Sequence, residues 1–167
     1  MTKHFKNIVQ CRICGSEDLT EVISIEEQHL SPMFVKTNKD NHLAGLLVRQ
    51  TLVLCDKSKN SKNCGLLQLK ETVKPDLLYK QYFYRSAVSD TMRKDLREVV
   101  DDVTSRVDLN GGDVVLDTGA NDCTMLSYFD SSLSRIGVEP AENIDWGHVD
   151  DSIEIVNDYF SWEAVES

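Results

Sequence analysis

Residues 113–126 read DVVLDTGANDCTML. A short apolar run ends on an acid, passes through a glycine and small polar residues, and enters a helix-like pattern. In a parallel sheet, ligands bind beyond the carboxyl ends of the strands. A glycine in the turn lets the backbone approach the ligand closely, and an acid closing the next strand accepts hydrogen bonds from ribose hydroxyls. Here Asp117 ends the first strand and Gly119 sits in the turn. Glu139 ends the next apolar run, SRIGVE, twenty-two residues after Asp117. That spacing suits an adenosine-type cofactor. An ordinary strand–helix turn followed by a surface glutamate fits the same residues, and at this point the two readings stand level.

Working outward, strand DVVLD, a helix over DCTMLSYFD, strand SRIGVE and a third strand SIEIV alternate in the manner of a parallel α/β sheet. The segment between Glu139 and SIEIV is short, which predicts a second helix reduced to a turn. Upstream, Pro75-Asp76 is a good helix start before DLLYKQYFY. SDTMRKDLREVVDDVTSRV then places Met92, Leu96, Val99, Val100, Val103 and Val107 at helical spacing. Ser89 is its expected cap, the hydroxyl accepting from the amide of Thr91 or Met92. The helical stretch is expected to break near Ser86. Before Pro75, EVISIEE, LLVRQTLVLC and LLQLKETV read as strands. The expected organisation is a small β-rich module over 1–75, a helical connector over 76–107 and a partial Rossmann-like domain over 108–167.

Of five cysteines, Cys11, Cys14, Cys55 and Cys64 fall in the first module. Cys11-Arg-Ile-Cys14-Gly is a knuckle that points two sulfurs at one ion, and its glycine relieves backbone crowding. The second pair is split by DKSKNSKN, which can loop out if the flanking strands stay paired. Four thiolates suit tetrahedral zinc and leave no position open for catalysis, so the site is read as structural. Buried or free thiols are the competing reading. The module's thin apolar content favours a metal staple.

The net charge of −10 excludes a broad grip on nucleic acid and docking on anionic membranes. No run of about 18 apolar residues reads as a membrane span, and the N-terminus lacks a signal-peptide core. The chain is therefore expected in a reducing cytoplasm, where five cysteines do not form a disulfide framework.

Taken together, Cys-x2-Cys, Cys64-Gly-Leu-Leu-Gln-Leu, Tyr82-Phe-Tyr84-Arg-Ser86, VVLDTGANDCTML and GVEPAENI run in one order along nearly the whole chain. This order resembles the S-adenosylmethionine-dependent C-methyltransferases of deoxysugar biosynthesis that carry an N-terminal zinc-binding domain. In that family the turn looks like D-I-G-S-N-D-G-T-L-L and the second strand ends in G-V-E-P-A. The resemblance implies structural zinc on Cys11, Cys14, Cys55 and Cys64. It implies a cofactor turn lined by Asp117, Gly119, Asn121 and Asp122. Glu139 would hold the ribose hydroxyls, with Pro140 shaping the adenine side. Tyr82, Tyr84 and Ser86 match a connector motif that leans over cofactor and a nucleotide-sugar substrate. Helix packing is the alternative role for one of the tyrosines.

Two departures from the family pattern carry expectations of their own. Cys123 stands where the family has glycine. It fits as a small core residue if its φ is negative, and costs on the order of 1 kcal/mol or more if φ must be positive. It is not expected to be a nucleophile. The sequence also ends near the third strand, before the region where the family carries its general base, and His148 reads as a surface residue. The expectation is an N-terminal part of a methyltransferase that does not turn over alone. Strand DVVLD would then keep an open apolar edge, which self-association or a second chain would complete. The alternative is a zinc-stabilised interaction module that has lost methyl transfer.

Overall fold

The computed structural model describes residues 4–30 and 46–166. It divides into two compact units, Met1–Leu78 and Tyr79–Ser167. Among the described residues the architecture is mixed α/β, with three small sheets and few helices.

In the first unit β1 (Phe5–Asn7) pairs antiparallel with β5 (Glu71–Val73). A second antiparallel sheet has the order β2 (Leu19–His29), β3 (Leu47–Cys55), β4 (Leu67–Leu69). Along β3 the inward side chains alternate, with Thr51, Val53 and Cys55 buried as a two-residue period requires. The stretch LLQLKETV, expected as one strand, splits at Lys70. The Lys70 amide donates to the Thr51 carbonyl (2.8 Å) and its carbonyl accepts from Ile8 (2.8 Å), so the chain changes partner there from β3 to β1. Beyond Cys11 and Cys55, only Val48 and Val53 are buried apolar residues among those described in this unit. That core is too small to hold such a fold unaided.

The second unit follows a short helix at the junction, α1 (Asp76–Tyr79). The expected longer helix over DLLYKQYFY does not form. Its backbone groups are taken by side chains: the Tyr82 carbonyl accepts from Arg85 and Asn143, and the Tyr84 carbonyl from Arg85 and Asn121. A single 3-10 turn (Ser86–Val88) leads into α2 (Asp90–Arg106), capped by the Ser89 hydroxyl, which accepts from the Met92 amide at 3.3 Å. Of the apolar positions expected on this helix, Val100 is buried, Val99 and Val103 are exposed, and Val107 lies just past its end, also exposed.

Three parallel strands follow in the order β6 (Val114–Thr118), β7 (Ser134–Val138), β8 (Ile153–Val156), and α3 (Trp162–Val165) comes last. Strand β6 lies at the edge, with Val114 and Leu116 exposed. The helix expected over DCTMLSYFD is a correction. Only one 3-10 turn, Leu126–Tyr128, forms there, because Phe129 turns to extended backbone and drives its ring into the core. The carbonyls of Leu126 and Phe129 accept instead from the buried Arg135 guanidinium (3.4 Å each). That guanidinium also pairs with Asp150 at 3.0 Å. Ser152 first, with Arg135, holds the Asp150 carboxyl down to about 2. The second interstrand segment is a single 3-10 turn (Trp146–His148), as its shortness predicts. No helix among the described residues is long and apolar enough to cross a membrane.

Cys123 takes the costly alternative: its φ is +58° and its side chain is only 1% exposed. Space for the thiol comes from β7. A Cβ on Gly137 would meet Cys123 Sγ at 2.9 Å, Ala120 Cβ at 3.1 Å and Leu126 Cδ1 at 3.2 Å. The cysteine in the turn and the glycine in the neighbouring strand are thus one steric solution. Gly137→Ala is expected to destabilise this unit by about 1–3 kcal/mol through overpacking. Part of that loss should return in the double variant with Cys123→Gly. Urea unfolding followed by tryptophan fluorescence measures both, since Trp146 and Trp162 belong to this unit. Strictly additive effects would break the steric link.

Candidate functional site

The four cysteines of the first unit converge. Their sulfurs all lie within 4.8 Å of one another, with Cys11–Cys64 and Cys14–Cys55 at 3.5 Å. A tetrahedron with metal–sulfur bonds of about 2.3 Å has edges of about 3.8 Å, so the cluster is sized for one zinc ion. The pairing that sequence reasoning required is present. β3 and β4 pair from Leu52↔Leu69 to Leu54↔Leu67, and the Cys55 amide donates to the Leu66 carbonyl at 2.9 Å. Between them, DKSKNSKN folds back on its own polar groups. Buried Asn63 donates to the Asp56 carbonyl (2.7 Å) and the Asp18 carboxylate (3.2 Å), returning Cys64 to Cys55. Gly15 and Gly65, each following a ligand cysteine, have φ of +72° and +81°, the left-handed conformation that closes each knuckle.

The surroundings favour the thiolate at Cys11 and Cys14 and disfavour it at Cys55 and Cys64. The Cys14 amide, outweighing burial, holds the Cys11 thiol down to about 6, and the Ser16 amide leads in lowering Cys14. Gln68 Nε2 is buried without a hydrogen-bond partner, and its amide helps lower Cys11. Burial pushes the Cys55 thiol up to about 11, so a full set of thiolates needs a cation at the centre. Arg12 pins the first knuckle to the second half of the unit. Its guanidinium donates to the Leu69 carbonyl at 2.6 Å and to the Thr72 hydroxyl at 2.7 Å. These residues fit structural zinc.

In the second unit, the carboxyl ends of all three parallel strands open onto one cavity of about 400 Å³. Thr118 ends β6, and Gly119 and Asn121 follow it; after β7 come Glu139 and Pro140; after β8, Tyr159 and Phe160; Tyr79 and Tyr82 supply the remaining wall. Glu139 is 6% exposed. Its Oε2 accepts from the Asn121 amide (2.9 Å) and its Oε1 from the Ala141 amide (2.8 Å). Each carboxylate oxygen has a second lone pair, which leaves capacity for a ligand hydroxyl. Asn157 Nδ2 steadies the loop by donating to the Glu139 carbonyl at 2.7 Å.

The remaining sequence-predicted residues take other places. Asp117 is half-buried below the turn and does not line the cavity; burial first, then the charge of Glu139, raises its carboxyl. Asp122 faces a separate cavity of about 320 Å³ beside Thr124 and Cys123. Tyr84 and Ser86 take part through backbone groups bonded to Asn121. Cys123 is inert: burial, with the charges of Asp117, Asp122 and Glu139, pushes its thiol up to about 12. His148 is exposed and sits 3.5 Å from Asp145. Sequence reasoning missed Tyr79, Thr118, Tyr159 and Phe160. The last two were findable, since Asn-Asp-Tyr-Phe directly follows a strand whose carboxyl end points to a ligand site.

Comparison with known proteins agrees with the first unit's chemistry. Residues 11–79 match the family described as a putative zinc binding domain. The C-methyltransferase NovU of Streptomyces niveus is 28% identical over 160 residues, which is 95% of this chain and 36% of that protein. The chain thus spans about a third of the length of this curated relative. These matches bear out the resemblance read from the sequence: the chain is related to the N-terminal portion of a C-methyltransferase.

Purified protein is expected to carry about one zinc per chain. Cys55→Ser should abolish stoichiometric metal, and chelation should cost the first unit its cooperative melt. A metal-free preparation that keeps that melt would overturn the assignment.

Proposed function

We propose that this chain is the cofactor-cradling N-terminal part of an S-adenosylmethionine-dependent C-methyltransferase that acts on a nucleotide-linked deoxysugar. Its three parallel strands are then part of a Rossmann-like sheet. The observation that carries the reading is the meeting of three strand ends on one cavity, with the buried Glu139 carboxylate at its rim. Relatedness to NovU supports the transferred group and the carbon acceptor, because that protein is a C-methyltransferase. The free cysteines support a reducing cytoplasm as its setting.

In this reading Glu139 accepts hydrogen bonds from the ribose hydroxyls with the lone pairs left free by Asn121 and Ala141. Gly119 leaves the backbone bare beside the ligand. Pro140, Tyr159 and Phe160 offer flat apolar surface to the adenine. The negative charge of Glu139 and nearby Asp117 favours a ligand that carries positive charge. The bound cofactor supplies an electrophilic methyl group on a sulfonium. The chain's contribution is to hold that group in place and exclude water from it. No histidine or lysine lines the cavity among the described residues. The exposed Val114 and Leu116 on edge strand β6 support a further strand docking there, from a second chain or a second copy. Without it the part does not turn over.

Calorimetry with S-adenosylmethionine tests the reading. Wild-type protein should bind in the micromolar range. Glu139→Ala should weaken binding roughly 10- to 100-fold, the worth of hydrogen bonds to a charged acceptor. Absence of binding at millimolar cofactor sinks the proposal and leaves a zinc-stabilised interaction module in its place.

A further inference from the structure

Asn121 belongs to the turn between β6 and β7, yet most of its hydrogen-bonding capacity is spent away from the cavity. Its φ is +51°, a left-handed conformation that asparagine tolerates better than most residues. In that conformation its backbone amide donates to Glu139 Oε2 at 2.9 Å. Its side chain points the other way: Oδ1 accepts from the Ser86 amide (3.1 Å) and Nδ2 donates to the Tyr84 carbonyl (3.0 Å). The next residue repeats the pattern, since Asp122 Oδ2 accepts from the Ala87 amide at 2.8 Å. The segment held this way is the one that carries Tyr82 onto the cavity wall.

We propose that Asn121 is a positioning residue, a latch that joins the Glu139 carboxylate to the segment 82–87 and so makes order in that segment depend on occupancy of the cavity. The inference rests on the cofactor reading above for the identity of the ligand. The latch itself rests on the hydrogen bonds alone. A ligand hydroxyl that engages Glu139 fixes the carboxylate. The fixed carboxylate holds the Asn121 amide, and the Asn121 side chain then holds Ser86 and Tyr84. By reciprocity, loosening the segment weakens the ligand by the same factor. A residue that only lined the cavity would need none of the bonds to Tyr84 and Ser86.

Amide hydrogen exchange on the full, zinc-loaded chain tests the latch without any ligand. Asn121→Gly keeps the left-handed backbone at no strain and removes only the side chain. It should speed exchange of the Ser86 amide roughly 10-fold or more, the loss of about one hydrogen bond. The Gly119 and Ala120 amides, which donate to the Val138 carbonyl, should hold their wild-type rates. Asn121→Asp retains an acceptor for Ser86 and should restore its protection. If the Ser86 amide exchanges equally slowly in Asn121→Gly, the latch is overturned. A second arm adds S-adenosylmethionine. In wild type it should slow Ser86 exchange further. In Asn121→Gly it should bind roughly 10-fold more weakly and leave Ser86 unaffected. Undiminished binding in Asn121→Gly overturns the coupling. Failure of wild type to bind at all sinks the cofactor reading, while the ligand-free exchange still decides the latch.

Discussion

A carboxylate taken out of water must find donors or give up its charge. Glu139 is that carboxylate here, and the end of the second unit that carries the cavity is organised around satisfying it. Its two donors, the amides of Asn121 and Ala141, lie in the turn after β6 and the loop after β7. Satisfying one side chain therefore fixes two loops relative to each other. The bend after Glu139 is closed further by Asn157, whose amide donates to the carbonyls of Glu139 and Ala141, which adds the loop after β8. Three strand ends are thereby tied to one another by polar groups at the place where a parallel sheet presents its ligand site.

The first unit solves a different problem. Its longest strand, β2, is interrupted by two register shifts, and buried apolar side chains among its described residues are few. Hydrophobic burial alone does not stabilise such a module. The cross-link instead passes through four sulfurs contributed by the N-terminal knuckle, the end of β3 and the loop before β4. Polar side chains extend the same link. Arg12 and Gln68 tie the knuckle to β4, and Glu71 accepts from both the amide and the hydroxyl of Thr51 at 2.8 and 2.9 Å.

The metal centre was legible in the sequence because its determinants are local: two cysteine–glycine pairs and strands that alternate with period two. The three parallel strands were legible for the same reason. The helices were legible only in part. α2 was found because seventeen residues carry both a cap and a periodic apolar face. The segments 80–85 and 123–128 carry helix-compatible residues, but their backbone groups are claimed by Asn121, Asn143 and Arg135 from elsewhere in the fold. No local propensity reveals such tertiary claims. The cavity was half legible: Gly119 and Glu139 through their spacing, Asn121, Pro140 and Tyr82 through resemblance. Tyr79 and Thr118 reach the cavity only through the fold.

Cys123 shows how a departure from a family pattern is to be weighed. Its left-handed φ is the feature that glycine normally supplies, and a side chain there costs on the order of 1 kcal/mol. Against that cost stands the burial of a small apolar side chain in a core shared with Ala120 and Leu126. The space exists because Gly137 presents no Cβ. The same burial, with three carboxylates nearby, keeps the thiol protonated and chemically silent. A strained cysteine in a ligand turn suggests reactivity when read alone. Surrounded by these neighbours it is a packing element, and it lies outside the set of residues that line the main cavity. The substitution therefore changes how the turn packs against β7, and it leaves the cavity-facing side of the turn to Gly119 and Asn121.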